Sequence, residues 1–204
     1  MLSWLIRNRI DAFERKLGYD MTYVREMLAT DRKALMKFMK ATQLGTYMRD
    51  IPRDVHWGVK LVSIVHEDCG PCTQLGVTLA LAEGVDARLI EALLSGDLAA
   101  VPEPVALGVR FANAVLAHAA EADEAREEIE RRWGKRAVLS LAFAITTAKI
   151  YPTVKYALGH GKACQRITVA GTQVTVVREA VEPARGVAGG AQAPAAHVAA
   201  GARA

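Results

Sequence analysis

The chain has 204 residues, about half of them hydrophobic, which is enough for one domain with a buried core, or one domain plus a tail. Its 26 basic and 22 acidic residues leave a net charge of +4 with no basic block, so no nucleic-acid partner is expected. Lys33, Lys37 and Lys40 beside Arg32 read instead as the solvated face of a helix.

Three cysteines do not make an even disulfide framework. A single C-x-x-C in such a chain fits a reducing compartment, where it is redox-active or binds metal. Arg7, Arg9 and Asp11 interrupt the N-terminal apolar pattern before a signal-type segment forms. The longest apolar run, 137–145, is about half of a membrane span. The expectation is a soluble, cytoplasmic protein with no membrane contact.

In chain order, Leu2, Ile6, Ile10, Phe13 and Leu17 recur at helical spacing, and Gly18 is a plausible stop. A second helical stretch covers 20–42, with Tyr23, Met27, Leu28, Leu35, Phe38 and Met39 on its apolar side. Pro52 breaks the chain. A helix from Asp54 to His66 then turns Val55, Val59, Val62 and Val65 inward. Pro71 suits the first turn of the next helix, because its missing N–H has no partner there anyway. Gly84 ends that helix, and Asp86 caps another that stops near Gly96.

Pro102 and Pro104 open the next helix. The charged segment 123–134 reads as an exposed helix with Glu127–Arg131 and Glu128–Arg132 pairs. The most apolar helix, 135–159, should be central to the core, kinked or divided by Pro152. After Cys164 the β-branched run ITVAGTQVTVV reads as a strand or small hairpin, which needs the body or a neighbouring subunit to rest on. From about Pro183 the chain is Ala/Gly/Pro-rich and is expected to be disordered. The fold class is all-α. The expected units are 1–50 as an N-terminal helical extension, 51–166 as the main helical domain, 167–182 as the β segment and 183–204 as the tail.

The chemistry concentrates in 66–76, HEDCGPCTQLG. A thiol attacks as thiolate, and a helix N-terminus lowers its pKa through free N–H groups and the dipole. Cys69 falls at or just before the first turn and Cys72 within it. Zinc needs two further ligands, and no second pair exists because Cys164 stands alone, so no metal is expected. Cys164 reads as a small buried hydrophobe. His66 and Glu67 flank the turn and are the best proton-relay candidates, with His56 near Lys60 behind them; capping of the next helix is the other reading of Glu67. His160, at a helix C-terminus, is favoured there by the dipole.

An all-α layout with C-x-x-C between two helices resembles the carboxymuconolactone decarboxylase / alkylhydroperoxidase D-like superfamily. The resemblance covers 50–163. It rests on the helix before the cysteines, the pair itself, the segment EGVDARLIEALLSGD, and the half from RFANAV to KYALG. It implies an alkylhydroperoxidase D-like helical bundle that assembles as a homo-oligomer, trimer or hexamer. It also implies Cys72 as the residue that attacks peroxide and Cys69 as the one that closes the disulfide, although helix position alone favours Cys69.

The family's relay residues are missing. Trp57 stands where the family has a glutamate twelve residues before the first cysteine, Pro71 where histidine often precedes the second, and Gly76 where histidine follows it. The expected activity is antioxidant reduction of hydroperoxides or disulfides through a Cys69–Cys72 disulfide. An external thiol reductant would complete the cycle, with His66 and Glu67 moving protons and no cofactor required. The alternatives are a non-catalytic oligomeric scaffold and a decarboxylase-like enzyme of the same fold.

Overall fold

The computed structural model describes residues 2–161 and 166–177. Cys164 and the expected tail 183–204 lie outside the described residues. The described chain is mostly helical, with a short two-stranded antiparallel sheet near its C-terminal end. The helices are α1 Leu2–Leu17, α2 Thr22–Thr30, α3 Arg32–Thr42, α4 Arg53–His66, α5 Gly70–Ala82, α6 Ala87–Ser95, α7 Glu103–Ala117, α8 Glu121–Trp133 and α9 Lys135–Ala157. One 3-10 turn, Gln43–Thr46, joins α3 to the approach of α4, and another, Leu98–Ala100, lies between α6 and α7.

The main core lies where α4 packs along α7 and α9. Two glycines allow that approach. A Cβ on Gly108 of α7 would stand 2.8 Å from a Val55 methyl and 3.0 Å from a Val59 methyl of α4. One on Gly58 of α4 would stand 2.7 Å from a Val105 methyl of α7. Leu61, Ile90, Ile129 and Leu141 are fully buried in the same core, which brings α6, α8 and α9 onto it. By length and composition α9 could cross a membrane, but it is packed here between α4, α8 and the Gln43–Thr46 turn.

Strands β1 Arg166–Val169 and β2 Thr172–Thr175 pair with Ile167 opposite Val174. A hairpin this short does not hold alone. It docks on the body: Ile167 and Val169 are buried in the main core. The Gln74 side chain of α5 clamps Thr168, its amide donating to the carbonyl at 2.9 Å and its oxygen accepting the N–H at 2.8 Å.

The first three helices have their own cluster of Ile10, Tyr19, Tyr23, Val24, Leu28 and Leu35. Leu75 of α5 and Val154 of α9 pack against it, so this cluster lies over the body, with Tyr19 beside Cys72. Arg25 of α2 holds Asp11 and Glu14 of α1.

Three expectations are corrected. The stretch 20–42 is two helices, because Asp31 is extended (φ −154°) and its carboxylate accepts the Lys33 N–H as a cap for α3. Pro152 does not divide α9, which continues to Ala157. In α8, Arg131 pairs with Glu128 rather than Glu127, so both Arg131 and Arg132 converge on one carboxylate.

Candidate functional site

The turn between α4 and α5 is built from Glu67, which closes α4, and Asp68, which takes a left-handed conformation (φ 51°). The Tyr156 hydroxyl of α9 donates to the Asp68 carbonyl at 2.8 Å and pins the turn to the bundle. Cys69 is the N-cap of α5, in extended conformation. Its carbonyl accepts from the Thr73 N–H at 2.9 Å and the Thr73 hydroxyl at 3.1 Å. Cys72 lies in the first helical turn, with Pro71 before it.

The two cysteines are joined by a disulfide, with Cα atoms 5.2 Å apart. Both are buried, packed with Ile64 of α4 and Ala148 of α9. The helix N-terminus favours negative charge at this place, whichever thiol carries it in the reduced state.

Two residues from distant parts of the chain complete the setting of Cys72. Gly18 ends α1 with φ +62°, and the chain turns inward so that Tyr19 is buried. The Tyr19 hydroxyl lies 3.9 Å from Cys72 Sγ. A disulfide sulfur can only accept, so the phenol donates. Lys155 of α9 is 2% exposed and donates from Nζ to the Tyr19 oxygen at 3.3 Å. Its ammonium also lies over the Tyr19 and Tyr23 rings, 4.7 and 5.3 Å from their centroids, so two aromatic faces share the charge. Burial pushes the Tyr19 phenol up to about 12, which keeps its proton on at neutral pH.

Cys72, but not Cys69, lies on the wall of a cavity of about 830 Å³. The wall is mostly apolar, and the N-terminal helices supply much of it, including Phe13, Leu35 and Phe38. A separate polar group sits on the same wall. The Trp57 indole donates to Glu83 at 2.8 Å, and the Lys60 ammonium lies 4.8 Å from the Trp57 ring centroid. His56 is 4% exposed and its Nδ1 has no hydrogen-bond partner. Burial lowers the Lys60 pKa, against an opposing pull from Glu83.

Burial, with Lys60 second, pushes His56 down to about 4 from its ordinary 6.5. A depressed histidine means that the unfolded chain binds the proton first, so stability falls as pH drops below 6.5 towards 4. The expected loss is about 2 kcal/mol between roughly pH 7 and pH 5. Urea unfolding at the two pH values should show it, and His56→Phe should remove that share of the loss.

The expected relay residues His66 and Glu67 close α4, directly before the cysteine turn. His66 is exposed at the end of α4, and its Nδ1 is 3.4 Å from the Glu67 carboxylate. Glu67 also takes the Lys149 ammonium at 2.6 Å. The structure joins this pair to Lys149 in one ion cluster at the end of α4. His160 follows α9 and pairs with Glu26 of α2 at 2.7 Å. Sequence reasoning missed Tyr19 and Lys155. Their signals were an aromatic directly after a helix-stopping glycine and a lysine inside the most apolar helix.

No cluster of three metal-ligating side chains occurs among the described residues. Comparison with known proteins returned no matching family model, no matching curated protein and no matching solved structure.

Proposed function

We propose that the protein is a dithiol oxidoreductase of the alkylhydroperoxidase D-like type, reducing hydroperoxides or disulfides with Cys69 and Cys72. One observation carries the reading. The pair is joined at the N-terminus of a helix, and the second sulfur lies on the wall of a large cavity beside a buried phenol. That asymmetry supports Cys72 as the attacking residue, in agreement with the family resemblance and against helix position alone.

The cycle starts from the reduced pair. The Cys72 thiolate attacks the hydroperoxide oxygen and breaks the O–O bond. The alcohol leaves with a proton from Tyr19, and Lys155 stabilises the phenolate until it is reprotonated. Cys72 is then a sulfenic acid. The Cys69 thiol attacks that sulfur, water leaves, and the disulfide forms. An external thiol returns two electrons and two protons by exchange. The balance is one hydroperoxide and two thiols giving alcohol, water and one disulfide, with no metal or organic cofactor needed. The reading includes a reducing, cytoplasmic setting and a homo-oligomer, trimer or hexamer, as the resemblance implies.

A second reading has its own support. Cys69 is 1% exposed and Cys72 5%, so the bond is as buried as a structural clip. Stopped-flow oxidation of the reduced protein by cumene hydroperoxide separates the two. An oxidoreductase oxidises much faster than a free thiol and yields the Cys69–Cys72 bond by mass mapping. A clip oxidises no faster than a free thiol.

A further inference from the structure

The net charge is not spread evenly along the chain. Residues 1–50 hold ten basic and six acidic side chains, and the remaining residues hold sixteen of each. The whole excess of +4 therefore belongs to α1, α2, α3 and the turn after them. The six acids are all engaged. Asp11 and Glu14 hold Arg25, Glu26 holds His160 and Asp50 holds Arg136. The Asp20 carboxylate accepts from Thr22, and that of Asp31 accepts from the Lys33 N–H. The bases are not engaged in the same way. Among the described residues, Arg25 is the one basic side chain of the ten that makes an ion pair.

Two of these helices carry the unpaired cations beside exposed apolar side chains. In α1, Leu5, Arg9 and Phe13 follow at four-residue spacing and Lys16 lies three further on, so they share one side. In α3, Arg32, Met36 and Lys40 repeat that spacing, with Met39 three beyond Met36. All eight side chains are exposed, Leu5 at 53% and each methionine at 46%. The two stripes meet at the cavity, because Arg9 and Phe13 of α1 and Met36 and Met39 of α3 all line it.

We propose that this face docks on an anionic lipid bilayer, its cations at the headgroups and Leu5, Phe13, Met36 and Met39 at the acyl boundary. An apolar stripe bordered by lysine and arginine is the pattern of a helix that lies in the bilayer interface. The negative leaflet attracts each base held near it. Nucleic acid would match the cations but not the aliphatic Leu5, Met36 and Met39, which neither stack on bases nor bond phosphate. A second copy seated face to face would bring two positive surfaces together. The expectation of no membrane contact rested on the length of a spanning helix, and surface docking needs no span. The contact does not depend on the dithiol chemistry.

The test is co-sedimentation of the full chain with two kinds of vesicle, at low and at high salt. One is phosphatidylcholine alone, and the other is two parts phosphatidylcholine to one part phosphatidylserine. At low salt the chain should bind the anionic vesicles at least about twenty-five-fold more tightly than the neutral ones, and high salt should remove most of that difference. Arg9→Gln with Lys40→Gln should weaken anionic binding by about twenty-five-fold, at about five-fold for each base. Leu5→Gln with Met36→Gln should weaken it by about ten-fold. These four positions are exposed, so the variants should fold, and the comparison of vesicles on the unaltered chain needs none of them. Binding to neither vesicle, equal binding to both, or anionic binding unmoved by the Leu5→Gln, Met36→Gln pair would overturn the proposal. If that pair instead lowered the assembly mass in sedimentation velocity while vesicle binding held, the face would belong to a second copy of the chain.

Discussion

Cys72→Ser should abolish fast oxidation by an organic hydroperoxide, and Cys69→Ser should leave the first step intact but stall it at a sulfenic acid on Cys72. The difference follows from where the two sulfurs lie. Cys69 is the N-cap, buried under the turn, and is not part of the cavity wall. Cys72 is on that wall, with the Tyr19 hydroxyl against it. A hydroperoxide entering the cavity therefore meets Cys72 first. The serine oxygen in Cys72→Ser is protonated at neutral pH and does not attack the O–O bond. In Cys69→Ser the thiol that closes the disulfide is gone, so the sulfenic acid persists. A dione trap followed by mass mapping should find the adduct on Cys72 in Cys69→Ser and none in Cys72→Ser. Fast oxidation of Cys72→Ser, with the adduct on Cys69, would reverse the two roles.

Tyr19→Phe should slow oxidation by about a hundred-fold, the lower range for loss of a positioned acid. The phenol does two things in the proposed cycle. Its hydrogen bond stabilises the Cys72 thiolate, and its proton leaves with the alcohol. Phenylalanine keeps the ring that receives the Lys155 charge and the packing with Tyr23, so the fold should hold. The thiolate should then form at higher pH, and the pH–rate profile of Tyr19→Phe should move to the alkaline side of the unaltered protein. Unchanged rate and profile would remove Tyr19 from the mechanism. His66→Asn and Glu67→Gln should change little, since both residues are engaged in the ion cluster with Lys149.

The elements were legible where local signals decide them. Gly18, Pro71, Gly84, Asp86 and Gly96 each mark a real boundary, because capping and left-handed turns depend on one or two residues. Asp31 was the same kind of signal inside an unbroken apolar pattern, and the pattern hid it. Of the two outcomes expected at Pro152, a kink or a division, the division does not occur, since α9 continues past it. The cysteine pair was legible because both residues lie in one turn. Its surroundings were not, since Tyr19 and Lys155 are separated by 136 positions in the chain and meet only through tertiary packing. His66 and Glu67 were favoured by sequence proximity, which does not fix the direction of a side chain. At the α4 C-terminus Glu67 holds both His66 and Lys149. His56 and Lys60 lie one helical turn apart, but only the fold brings Glu83 beside them.

The deciding measurement is the reduction potential of the Cys69–Cys72 couple, by equilibration with glutathione and then dithiothreitol buffers. A working dithiol should titrate between about −180 and −270 mV, where cellular thiols can return it to the reduced state. A value below about −300 mV, in the range of structural disulfides, would mean that the bond is a permanent clip and that the protein does not cycle.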